Sequence, residues 1–294
     1  MADELGSWND GKAKSAITGF VRSVTEEGDL FVSAADRVAA FDNDGTLWVE
    51  QPLPPQFGFL IETWMNEVKQ NPALAKEQPY KALIEKDPQF FAALQVQVPD
   101  AVSAVMQAAG RSWEGTAPED FDAQVREWLA RSKQPKFGRR YDRLVYKPML
   151  ELFGYLRAND FRVFVCSGGG RDFMRVFAED AWGIHKENVI GTAADYEYKD
   201  GKLLRANKPL GGVALGPGKP EHIFAQTGRM PLLAGGNGDV DIEMLAAARF
   251  ALLIEHDDGE REVAYTSGAD KALSAAKQHG WTVVSMKDDW AAIF

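Results

Sequence analysis

The chain has 294 residues, 45% of them hydrophobic and 26% charged, with a formal net charge of −10 and a pI of about 5.0. That length supports a sizeable core, in one large domain or two modest ones, while the acidity excludes recruitment of nucleic acid or an anionic membrane by the overall field. The single cysteine, Cys166, excludes an internal disulfide, and no apolar run reaches the ~18 residues of a membrane-spanning helix.

Residues 1–10, MADELGSWND, carry neither a basic start nor an apolar stretch, so no signal peptide is expected. The expected location is a soluble compartment, the cytoplasm by default, or the periplasm or exterior if a leader has been removed. Ala13, Ile17, Phe20, Val21 and Val24 share one helical face, with Asn9 or Asp10 as the expected cap. Val38–Phe41 reads as a buried strand ending at Asp42, in the string FDNDGTLW.

From Pro52 to Tyr146 the texture changes. PQFGFLIETWMNEV, PQFFAALQV, AVSAVMQAA and DFDAQVREWLA have helical periodicity, and strand signals are nearly absent. Residues 51–146 are therefore a helical insert, and residues 1–50 and 147–294 form the rest. Alternation then resumes. KPMLELFGYLRAND reads as a helix, FRVFVCS as a strand and RDFMRVFAEDAW as one helix. VIGTAADYEYKDGKLLRA reads as a hairpin turning at Lys199-Asp200-Gly201. PEHIFAQTG, DIEMLAAA and SGADKALSAAKQHG read as helices between the strands PLLAGG, FALLIEH and WTVVSM. This α/β alternation predicts a parallel sheet flanked by helices, with ligands beyond the carboxyl ends of its strands.

Four clusters fall at that edge. In Asp42-Asn43-Asp44-Gly45-Thr46, extended backbone points Asp42 and Asp44 to one side, where like charges repel unless a cation or proton lies between them. Ser167-Gly168-Gly169-Gly170 precedes a helix and offers backbone N–H groups and a hydroxyl to an anion. Gly216-Pro217-Gly218-Lys219-Pro220 delivers a mobile positive charge on a loop. Gly235-Gly236-Asn237-Gly238-Asp239-Val240-Asp241 adds two carboxylates and an amide oxygen, hard ligands that suit Mg²⁺. Each cluster alone has an ordinary reading: a surface turn, a flexible loop, a solvated lysine, a helix cap. Their joint occurrence at one sheet edge predicts phosphoryl transfer, with Asp42 as nucleophile and Asp44 as acid and base.

FDNDGTLW, FVCSGGG, GPGKP and GGNGDVDIEML resemble the four ordered motifs of the haloacid dehalogenase-like hydrolase superfamily, across about Arg37 to Ile254. The resemblance implies a Rossmann-like core and Mg²⁺ held by Asp42, the Asp44 carbonyl and a side chain from Asn237, Asp239 or Asp241. It implies Ser167 and Lys219 as phosphate ligands; Gly168 and Thr46 are further candidates to bind the phosphate. The insert resembles the helical cap of the phosphoserine phosphatase-like branch. The fourth motif departs from the usual Gly-Asp, because Asn237 stands in the aspartate's place. Glu50 lies one residue out of register from a substrate-reading glutamate and is either that group or a hinge charge. Arg171 either touches phosphate or is a solvated first-turn residue.

The expected function is Mg²⁺-dependent hydrolysis of a small phosphorylated metabolite through a phospho-aspartyl intermediate. The alternatives are a phosphotransferase or phosphomutase of the same superfamily, or a non-catalytic phosphate- or metal-binding protein. Asp44 argues against a dehalogenase, and no lysine of the insert has a recognisable phosphonatase context. The partner is a small molecule, neither nucleic acid nor membrane, and nothing in the sequence fixes an oligomeric state. His185, His222, His256 and His279 read as structural, Trp48 as packing, and Glu255-His256-Asp257-Asp258-Gly259-Glu260 as a solvated loop.

Overall fold

The computed structural model describes residues 5–95 and 97–294. Residues 1–4, on which the expectation about a leader partly rests, and Val96, predicted to end a helix, lie outside them. Among the described residues, seven strands form one sheet: β1 (Val38–Phe41), β2 (Arg162–Gly170), β3 (Val189–Lys199), β4 (Lys202–Leu210), β5 (Leu233–Gly236), β6 (Phe250–Glu255) and β7 (Thr282–Ser285). Their order is β4-β3-β2-β1-β5-β6-β7. All neighbours run parallel except the β3–β4 hairpin, which turns at Asp200 and Gly201 as predicted.

All four residues of β1 are buried, as expected for a central strand covered on both faces. Side chains alternate across a strand, and two cores follow. Ala39 and Phe41 join Val163, Val165, Leu233 and Leu252 on one face; Val38 and Ala40 join Phe164, Cys166, Ala234 and Leu253 on the other. The first face is closed by the helices Lys12–Thr25 and Lys147–Ala158, the second by Gly218–Thr227, Ile242–Ala247 and Asp270–His279. The order in which the chain adds strands reverses at β1, from β1-β2-β3 on one side to β5-β6-β7 on the other, so β1 carries its C-terminal residues to the crevice where such sheets bind ligands.

Within residues 51–146, five α-helices are found among the described residues: Pro55–Gln70, Tyr80–Glu85, Pro88–Gln95, Pro99–Ser112 and Pro118–Arg131. Four of the five begin on proline, whose fixed φ and missing N–H suit a first turn. Their aromatic interior is continuous with the first core: Phe59 stacks on Trp113 at 5.2 Å and meets Phe173 of the sheet side at 5.6 Å. At the far end, Gly115 N–H donates to the Arg205 carbonyl (2.8 Å) and Arg205 N–H to the Thr116 carbonyl (2.9 Å). The Arg205 guanidinium lies 4.2 Å from the centre of the Phe121 ring.

Three local expectations are corrected. The first helix is preceded by Gly11, with no side-chain cap from Asn9 or Asp10; Asn9 instead donates to the Asp288 carbonyl. The predicted helix RDFMRVFAEDAW breaks into Arg171–Arg175 and Ala178–Trp182. The break lets Phe173 and Phe177 meet edge to face at 5.5 Å and stacks Phe177 on Trp48. The acidic loop is not solvated throughout: His256 and Asp258 are buried, and Asp258 accepts from the Glu260 and Arg261 amides. No helix among the described residues is long and apolar enough to cross a membrane.

Candidate active site

β1 ends at Phe41, and Asp42 N–H continues its ladder by donating to the Gly235 carbonyl of β5 (2.9 Å). This bond anchors Asp42 at the start of the crevice. Asp42 is buried, and its Oδ1 accepts from Lys219 Nζ at 2.5 Å. The same ammonium donates to Asp241 Oδ1 at 2.5 Å. Lys219 is not the mobile loop charge expected from GPGKP. It lies in the first turn of Gly218–Thr227 and is fully buried, so the clamp is preset.

Asp241 is fully buried, and its other oxygen accepts from the Asn237 and Gly238 amides, each at 3.0 Å. It thereby folds its own loop and points Lys219 at Asp42. Asp239 faces away from this pair: its Oδ1 accepts from Ala272 N–H at 2.9 Å, at the start of Asp270–His279. Asn237 turns toward the first motif, accepting from Thr46 Oγ1 (3.2 Å) and donating from Nδ2 to Glu50 Oε1 (3.0 Å). Tyr265 also donates to Glu50. Thr46 and Glu50 are therefore gathered around Asn237. Gly45 sits at φ +71°, and a Cβ there would lie 2.1 Å from Asn237 Nδ2, so glycine is required on both counts.

Asp44 is half-buried and open to the cavity, and Trp48 Nε1 donates to its Oδ1 at 2.8 Å. Trp48 was expected only to pack, and a tryptophan four residues after the acid is the signal that was available. His256 is structural, as expected, yet it serves the site: its Nε2 donates to the Gly45 carbonyl (2.8 Å) and its ring stacks on Tyr265 at 4.3 Å. Ser167 is buried, with Oγ accepting from Gly169 N–H at 3.1 Å. At Gly168 a Cβ would strike Leu215 at 2.0 Å, and its carbonyl accepts from Thr192 Oγ1 (2.8 Å). Gln56, unnoticed in the sequence, reaches from the insert to accept the Gly170 N–H at 2.6 Å. Arg171 donates to Asp172 at 3.4 Å; Asp172 also receives Arg205 and Tyr196, each at 2.7 Å.

Charge is unbalanced here. Desolvation, then repulsion from Asp241, raises Asp42 well above the usual carboxylate range. Desolvation, then the Glu50 charge, pushes Asp44 up to about 7, and desolvation raises Glu50 as well. Desolvation pulls Lys219 down, but the Asp241 and Asp42 carboxylates outweigh it and hold the ammonium charged. One cation thus faces three aspartates. No group of three or more His, Cys, Asp and Glu side chains among the described residues is arranged to hold a metal by itself. A mixed oxygen set of the Asp42 carboxylate, the Asp44 carbonyl and the Asn237 amide oxygen does fit a hard cation such as Mg²⁺, and the excess negative charge favours one. Asn43, between the two aspartates, also has its side-chain oxygen buried without a hydrogen-bond partner.

Asp42, Asp44, Glu50, Ser167 and Asn237 open onto one cavity of about 1410 Å³, roofed by the insert. No curated protein matches the sequence. Among solved structures, a conserved functionally unknown protein from Anaerococcus prevotii DSM 20548 is 15% identical, with a TM-score of 0.61 over 97% of this chain and 94% of that one. Cytosolic 5'-nucleotidase IIIB bound to cytidine is 14% identical, with a TM-score of 0.54 over 95% and 86%. A protein with unknown function from Bordetella pertussis Tohama I is also 14% identical, with a TM-score of 0.54 over 85% and 98%. At such identities the likeness is one of fold. Residues 39–246 match the haloacid dehalogenase-like hydrolase family, and the chain belongs to that family.

Proposed function

We propose that the chain is a Mg²⁺-dependent phosphatase that hydrolyses a phosphomonoester through a phospho-aspartyl intermediate on Asp42. The observation that carries this reading is the buried Lys219 ammonium held 2.5 Å from both Asp42 and Asp241. It holds the Asp42 carboxylate in place, and its positive charge would favour a phosphate brought to that carboxylate.

Asp42 attacks phosphorus, forming an aspartyl phosphate and expelling the alcohol. Asp44, with its pKa near neutrality, is part-protonated at pH 7 and gives its proton to the leaving oxygen. Its carboxylate then takes a proton from the water that attacks the aspartyl phosphate, which restores Asp42 and releases phosphate. Trp48 Nε1–H keeps the Asp44 oxygen oriented through both steps. Lys219, Ser167 Oγ and the Gly168 N–H are the donors for the phosphoryl oxygens. Asp42, the Asp44 carbonyl and Asn237 would hold Mg²⁺, which would supply charge neutralisation there. Asp241 acts as the partner of Lys219, Glu50 as the holder of Asn237, and residues 51–146 as a cap that excludes water and bulky substrates.

The test is hydrolysis of p-nitrophenyl phosphate with and without Mg²⁺. Turnover that needs the metal and disappears in Asp42→Asn supports the reading. Turnover retained by Asp42→Asn removes the covalent step.

A further inference from the structure

We infer that the leaving group of the substrate is uncharged and largely apolar: the phosphate ester of an extended aliphatic or aromatic alcohol, not of an amino acid or a sugar. This rests on the phosphatase reading of the same site, and its basis is the composition of the cavity wall opposite Asp42.

The cavity, about 1410 Å³, exceeds the ~300–1,000 Å³ of typical small-molecule sites. Inorganic phosphate or phosphoserine would leave most of it empty. From the insert, Phe57, Leu60, Phe91, Leu94, Val105 and Met106 line it. All but Leu60 are only partly buried, so they hold apolar surface toward an interior space. Among the described residues the insert contributes no charged side chain to the wall. The insert does not lack charge: Glu62 pairs with Arg131 and Glu77 with Arg111, away from the cavity. Its polar contributions are amides and hydroxyls, Gln56, Gln107 and Ser103 among them.

Of the two hairpin cations in the wall on the sheet side, Arg205 is firmly held and Lys208, a largely exposed side chain, is loosely paired. Arg205 is 2.7 Å from Asp172, and Lys208 lies 3.7 Å from Asp195. The remaining charges, Asp42, Asp44, Glu50, Asp172, Asp239, Glu243 and Lys271, all lie outside the insert. An amino-acid ester reaching toward the insert would bring an ammonium and a carboxylate to the side of the cavity that has no charged partner for them, and an unpaired buried charge is strongly unfavourable. A polyhydroxyl ester would exchange water for methyl and phenyl groups. An apolar chain or ring gains there, at about fourfold in affinity per buried methylene.

The experiment compares ethyl phosphate, n-hexyl phosphate, O-phospho-L-serine and a hexose phosphate as substrates of the full chain with Mg²⁺. Three of the four leaving alcohols are primary alkyl, so reactivity differs little. The expected result is that kcat/KM for hexyl phosphate exceeds that for ethyl phosphate and phosphoserine by about tenfold or more. Met106→Glu, with its fold checked by thermal melting, should bring hexyl and ethyl phosphate to near parity. Equal rates for hexyl and ethyl phosphate, or phosphoserine as the best substrate, would overturn the inference while leaving the phosphatase reading intact. If no ester turns over, the phosphatase reading fails, and calorimetry on Asp42→Asn still decides: hexyl phosphate must bind at least tenfold tighter than ethyl phosphate, and equal binding overturns the inference.

Discussion

Two walls face each other across the cavity, built by the same chain on different terms. The wall at the sheet edge is polar and over-determined. Lys219, Asp42 and Asp241 form one buried unit, and Asn237, Thr46, Glu50 and Tyr265 form a second beside it. The insert's wall is apolar and held by ring packing, with Gln56 as its hydrogen bond to the glycine loop. The first wall suits chemistry that must be the same for every phosphate ester. The second suits selection of whatever the ester carries, because apolar packing can change without disturbing any charge at the first.

Substitutions should separate the two. On the sheet side, Asp42→Asn should lower kcat by ~10³-fold or more, since the covalent step disappears, while the melting temperature stays level or rises as repulsion with Asp241 is removed. Asp44→Asn should lower kcat by ~10²–10⁴-fold on alkyl esters, and by less on p-nitrophenyl phosphate, whose leaving group needs little protonation. Lys219→Ala should show both kinds of loss, because it strands two buried carboxylates: breaking such a unit costs about 3–5 kcal/mol, read by urea denaturation. Within the insert, Trp64→Ala should cost a similar ~3–5 kcal/mol for a fully buried ring. The surviving folded fraction should keep its Mg²⁺ requirement. Loss of Mg²⁺ dependence in that variant would contradict the separation of the walls.

A smaller effect concerns pH. Asp42, Asp44 and Glu50 have raised folded-state values, so the folded protein holds protons that the unfolded chain has released. Stability should therefore fall as pH rises from about 4 toward about 7 in metal-free protein. Lowered carboxylates such as Glu62 and Asp258 act with the opposite sign at lower pH. Thermal melts with EDTA and with excess Mg²⁺ check this: the slope should flatten with the metal, and an equal slope would contradict a cation between these groups. Last, Trp48→Phe removes a hydrogen bond that lowers Asp44, so the alkaline limb of kcat/KM should move up in pH with less than ~10-fold change at its maximum.

The sheet and its four clusters were legible because each depends on residues close in sequence: an apolar run, then polar or glycine residues where the run ends. The insert was legible as helices for the same reason. What the sequence hid was contact between distant segments. Nothing near Gln56 marks it as the partner of Gly170, 114 residues away, and nothing near His256 marks it as the brace of Gly45. Asp239 and Asp241 stand two apart with equal claims. Only the packing of Asp270–His279 against their loop gives Asp239 a backbone amide to accept and leaves Asp241 to Lys219. The split after Arg175 was hidden likewise, because it answers to Trp48 rather than to a local breaker.

The insert leaves the sheet after Glu50, returns at Lys147, and is fastened at its far end through the reciprocal bonds between Gly115, Thr116 and Arg205. A span pinned on both banks does not swing like a door; it sags like a bridge. Motion of the insert should then leave this fastening closed, and the amides of Gly115 and Arg205 should exchange their hydrogens no faster during turnover than at rest.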